Sequence, residues 1–126
     1  MILTSLALLA ANAALFANDD YTVEILYQQK NGLRSRTVKV RDSVDFSDGA
    51  FELEDSDISE APLLIGDVTI DDRRNSVRID LTVCALGPDD CEEIASPTVV
   101  FTRGSRQRIR GETRSGVYYR ITFRPE

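Results

Sequence analysis

Apolar residues at every second position set the pattern of this chain. Val77, Ile79, Leu81 and Val83 hold that spacing, and Val117, Tyr119, Ile121 and Phe123 repeat it. A period of two puts one set of side chains on a buried face and the other in water, so both segments read as half-buried strands. Between them Thr98 to Thr102 is a short apolar run, and Arg106, Arg108 and Arg110 alternate with Gln107 and Ile109. Taken together, Ser76 to Phe123 predicts an antiparallel meander or Greek key onto whose sheet the upstream chain packs.

Upstream, Tyr21, Val23, Ile25 and Tyr27 alternate with Thr22, Glu24, Leu26 and Gln28, and Asn31-Gly32 supplies a two-residue hairpin turn. The return strand, Leu33 to Arg41, sets Arg34, Arg36, Val38 and Val40 on one side and Ser35, Thr37, Lys39 and Arg41 on the other. So charged a strand belongs at a sheet edge. Asp42 to Glu60 predicts a second, irregular hairpin about Ser47-Asp48-Gly49. Pro62 opens the strand Leu63 to Ile70, which turns through Asp71 to Asn75 into Val77 to Leu86 as the central hairpin. Ser96-Pro97 starts the next run, Arg103-Gly104-Ser105 turns it back, and Arg114-Ser115-Gly116 leads into the last strand. About eight short strands without a helical period give an all-β class, a small antiparallel β-sandwich or partly open β-barrel.

Met1 to Ala17 is almost wholly apolar and Asn18, Asp19 and Asp20 follow at once. It is too short to span a bilayer comfortably and reads as an export signal, residues 1–17, ahead of a single domain, residues 18–126. Cleavage after Ala13 or Ala17 would start the mature chain near Ala14 or Asn18. The competing reading is an uncleaved apolar first helix. Cys84 and Cys91 flank a segment containing Gly87-Pro88-Asp89-Asp90, a turn that brings two sulfurs together. In an oxidising compartment they form a disulfide; in a reducing one they stay as two thiols. Export and disulfide agree on a periplasmic or secreted protein with no transmembrane segment once the leader is gone.

With 42% hydrophobic and 29% charged residues, 126 residues suffice for one core. The formal charge of -6 conceals a segregation. Residues 42–93 hold sixteen acids against Arg73, Arg74 and Arg78, a balance of 3 − 16 = −13; residues 94–126 hold seven arginines against Glu112 and Glu126, or 7 − 2 = +5. The chain is a dipole along its sequence, and in space too if acidic and basic strands do not pair.

Histidine is absent, so neither a Ser-His-Asp nor a Cys-His constellation can be assembled. Glu52 and Glu54 share one face of a strand, which keeps a carboxylate-type enzyme as an alternative, but nothing around them argues for the burial that acid catalysis requires. The acidic segment 42–60 lacks the spacing of an EF-hand, and no metal or cofactor is expected. The sharpest polar feature is the arginines. Arg106, Arg108 and Arg110 project from one face of a strand and Arg120 and Arg124 from one face of the next, a grid suited to phosphates, sulfates or an acidic protein surface. Its competing use is to stack on the chain's own acids, such as Glu112 or Asp80. Of the neighbours Tyr118 and Tyr119, one packs and the other faces water among the arginines. A net acidic, exported chain does not point to nucleic acid.

Ser96-Pro97-Thr98-Val99-Val100-Phe101-Thr102-Arg103-Gly104-Ser105-Arg106-Gln107-Arg108-Ile109 resembles a strand-turn-strand motif of secretins and related exported β proteins, in which a small residue usually stands where this chain has Arg108. The resemblance implies a β module of the cell envelope. The expectation is a non-enzymatic secreted or periplasmic β-domain that binds, or assists assembly of, a protein component of the envelope. The alternatives are a calcium- or glycan-binding adhesive module and the carboxylate enzyme.

Overall fold

The computed structural model describes residues 19–31, 34–55 and 61–126, and the expected leader, residues 1–17, lies outside them. The strands are β1 (Asp20–Asn31), β2 (Arg34–Asp45), β3 (Ala50–Leu53), β4 (Leu64–Asp71), β5 (Ser76–Cys84), β6 (Glu93–Ala95), β7 (Thr98–Thr102), β8 (Gln107–Glu112) and β9 (Val117–Pro125). They form two antiparallel sheets that do not close on each other, a β-sandwich and not a barrel. The front sheet runs β2-β1-β9-β8. In the back sheet β3-β4-β5 is extended on the far side of β5 by β6 and β7, which follow one another along that edge. No helix among the described residues is long and apolar enough to cross a membrane.

Three sequence expectations are corrected here. The stretch from Ser76 to Phe123 does not make one sheet, because β5 and β7 belong to the back and β8 and β9 to the front. Arg103-Gly104-Ser105 therefore carries the chain across the sandwich instead of turning it back on itself. Likewise Asp42 to Glu60 is no hairpin: β2 ends in a short 3-10 turn, Phe46–Asp48, capped by the Asp45 carboxylate and closed by Gly49 at φ 82, and β3 then joins the other sheet. The reason is common to both. A sheet with one apolar face needs a second such face to cover it, so the chain must change layers. The third correction is one of register. Asn31 pairs with Arg34, a register that a two-residue turn at Asn31-Gly32 does not give; residues 32–33 lie outside the described residues. That pairing sets Val38 against Tyr27 and Val40 against Ile25; a turn centred on Asn31-Gly32 would have put Arg36 opposite Tyr27. As expected, β2 is an edge strand and the β4-β5 hairpin forms the middle of its sheet.

Phe46 is the hub between the layers. Its ring stacks on Tyr21 at 4.3 Å and meets Phe51, Phe101 and Phe123 at 6.1, 6.4 and 6.3 Å. Two glycines make room for aromatic neighbours. A Cβ on Gly66 would come within 2.3 Å of the Phe51 ring, and one on Gly111 within 2.3 Å of the Tyr119 hydroxyl. Each glycine is the cross-strand partner of the aromatic that covers it.

One end of the sandwich is tied by Arg103. Its guanidinium donates to both Asp19 carboxylate oxygens at 2.8 Å and to Asp72 at 2.7 Å, while its backbone N–H donates to Asn75. It thus joins the start of β1, the β4-β5 turn and the β7-β8 crossing, and the Asp19 bonds raise its pKa further. Beside it the Tyr21 hydroxyl accepts from Gly104 N–H at 2.8 Å and donates to the Ser105 carbonyl at 3.0 Å. At the other end the sulfurs of Cys84 and Cys91 lie 2.01 Å apart, at disulfide distance. The buried Tyr27 hydroxyl makes no hydrogen bond within normal limits; the Leu86 backbone of the cysteine loop is the group that faces it.

Replacing Arg103 with alanine should lower stability by about 2–3 kcal/mol in denaturant unfolding, chiefly because the largely buried Asp19 carboxylate loses both its bonds, the Asp72 contact being exposed. Lysine at that position should recover little, for want of the fork. The disulfide, closing a short loop, should contribute about 2.5 kcal/mol that reductant removes, and thiol titration of unreduced, denatured protein should find no reactive sulfur. Burial pushes the phenols of Tyr21, Tyr27 and Tyr119 up. The folded chain therefore keeps protons that the unfolded chain loses near pH ~10, so stability is intact below that pH and falls above it. Phenolate absorbance from these three should accompany loss of near-ultraviolet dichroism; ionisation at the ordinary pH with native dichroism intact would contradict their burial.

Candidate functional site

The register of the front sheet decides what its outward face carries. The inward residues of β1 and β9, from Tyr21 to Tyr27 and from Val117 to Phe123, are buried at every second position, so the intervening residues point outward. Across β2-β1-β9-β8 these line up in rows. One row reads Arg41, Glu24, Thr122, Arg108 and the next reads Lys39, Leu26, Arg120, Arg110. A third, Ser43, Thr22 and Arg124, lies toward the start of β1.

Four of the five arginines singled out in the sequence, Arg108, Arg110, Arg120 and Arg124, therefore share one face, and Arg106 is exposed immediately before β8. Arg110 is the direct cross-strand partner of Arg120, a like-charge opposition that costs stability. None of the five makes an ion pair with a described acid within 4.0 Å; the ion pair on this face is Lys39 with Glu24 at 3.8 Å. Lys39 and Arg41 enlarge the grid from the far edge. They were visible as the polar side of the return strand, but which strand would lie beside β1 and bring them to the arginines was not. Tyr119 packs inward and Tyr118 stands half-exposed on the arginine face, as expected of that pair.

Acids stand at the margins of the grid, with Glu24 in the first row beside Arg41, Glu112 at the end of β8 and Glu126 on Ser43 and Thr22 of the third row, but none is ion-paired with Arg110 or Arg120 among the described residues. Asp80 lies on the back sheet, accepting from Thr98 at 2.8 Å and Arg78 at 3.3 Å; the Thr98 hydroxyl chiefly, with Arg78, holds its carboxyl below the usual range. Glu112 is exposed at the end of β8, opposite Tyr118. Asp20 and Asp45, paired with each other, sit at the end where β1 starts. There the Glu126 carboxylate accepts from the hydroxyls of Ser43 and Thr22, which lower its pKa, beside a depression of about 400 Å³ lined by Thr22, Arg41, Asp42, Ser43 and Arg124. A second, of about 390 Å³, lies against Arg106, Gln107 and Arg108.

The back sheet carries the opposite sign. Its outward residues include Glu52, Asp67, Asp71 and Asp80 against Arg78. The dipole along the sequence is thus also a dipole through the thickness of the sandwich. Glu52 and Glu54 are both exposed, and no group of three histidine, cysteine or carboxylate side chains converges among the described residues. No protein-family model, curated protein or solved structure matches the chain, and the site stands on its own geometry and charge.

Proposed function

We propose that this chain is a non-enzymatic binding module of the periplasm or cell exterior, which holds an acidic surface of a protein partner in the envelope on the outward face of its front sheet. The observation that carries the reading is the Arg110-Arg120 opposition, surrounded by Arg108, Arg124, Arg41 and Lys39 on a face where, among the described residues, only Lys39 is ion-paired with an acid. Forked guanidinium groups side by side repel one another until carboxylates lie over them, and each then forms charge-assisted hydrogen bonds. The apolar leader and the cysteine pair support the compartment. Assisting assembly of a partner is a natural use of such a surface, because electrostatic docking steers encounter and releases readily.

Reversing Arg110 to glutamate separates binding from folding. Set opposite Arg120, the new carboxylate should raise stability by about 0.5 kcal/mol, while affinity for an acidic probe such as polyglutamate should fall about tenfold. Wild-type binding should weaken steeply between about 50 and 300 mM salt, as screening of an exposed grid requires. Affinity unmoved by both the reversal and salt would rule out this face as the docking surface.

A further inference from the structure

Among the described residues the front sheet ends at β8, and the backbone on the outer side of that strand has no neighbouring strand. Antiparallel pairs alternate between those that exchange both backbone hydrogen bonds and those that exchange neither. Arg108 N–H donates to the Gln107 side-chain oxygen at 3.3 Å, so it points away from β9. By the same alternation the backbone of Arg110 faces outward too. The residues whose backbone groups at this edge meet no strand among the described residues are therefore the ones whose side chains supply the cations. The depression against Arg106, Gln107 and Arg108 opens at the same place, and the Gln107 amide occupies the position of a missing strand's carbonyl.

We infer that the outer edge of β8 takes an extended partner segment as an added strand, one with Glu or Asp at every second position. The inference rests on the proposed anion-binding role of this face and says how the partner is held. Along a strand, alternate side chains are spaced about 6.6–6.8 Å apart. An added strand with alternate acids would place one carboxylate opposite Arg108 and another opposite Arg110, on the outward face, while its backbone displaces Gln107 from Arg108 N–H. A peptide with its acids in one block has the same charge but cannot match that spacing.

The test uses the full chain and two synthetic peptides of one composition, with glutamate and threonine either strictly alternating or segregated into blocks. The alternating peptide should bind about tenfold more tightly and slow hydrogen exchange at the Arg108 and Arg110 amides. Two variants divide charge from backbone. Arg108→Gln removes the cation and keeps the N–H, and should weaken binding a few-fold; Arg108→Pro, at a position where an edge strand accepts proline, should abolish the preference for alternation. Equal affinity for both peptides, without amide protection in the wild-type protein, would overturn strand addition and leave the electrostatic face standing. Failure of both peptides to bind would remove both readings. Protection of the same amides that grows with protein concentration in the absence of peptide would assign the edge to a second copy and overturn the inference.

Discussion

Strand after strand in this chain offers one face to water and needs cover for the other, and most of the architecture follows from that need. Val23, Ile25, Ile121 and Phe123 on the front sheet and Val77, Ile79, Leu81 and Val83 on the back are fully buried or nearly so, each set shielded by the other. Phe46, set in a turn between sheets and not in a strand, fills the space where the layers meet near Tyr21 and Phe101. The places where the chain changes layers are thus the places where covering one sheet with the other demands it.

What could be read from the sequence was most of what depends on local period. The strands, the edge position of β2, the central β4-β5 hairpin, the proximity of the two cysteines and the outward set of each arginine strand follow from alternation and turn residues over a few positions. What could not be read was which sheet a strand enters. The turn Arg103-Gly104-Ser105 has the composition of a hairpin turn and performs a crossing. Nothing local in it says that Arg103 will reach Asp19, which precedes it by 84 positions in sequence. Lys39 and Arg41 were equally hidden as parts of the basic face, since their place beside the arginines depends on β1 lying between β2 and β9.

Segregated charge has a structural reason in this arrangement. The front sheet gathers β8 and β9 with β2, and the back sheet gathers β3, β4 and β5, so Arg108, Arg110, Arg120 and Arg124 are kept across the core from Glu52, Asp67, Asp71 and Asp80. No acid among the described residues forms an ion pair with Arg110 or Arg120 to relieve their self-repulsion. A surface that stores such a cost is poised for a neutralising contact, whereas a surface already paired with its own acids would gain little from one.

The joint at Arg103 also sets a limit on how far the front of the chain can be trimmed. Both cleavage positions read from the leader leave Asp19 in place, and with it the carboxylate that holds β1 to the two turns at that end. A cut two residues beyond Ala17 would remove Asp19 while sparing every strand, and the sandwich would keep its sheets but lose the bolt that closes one end.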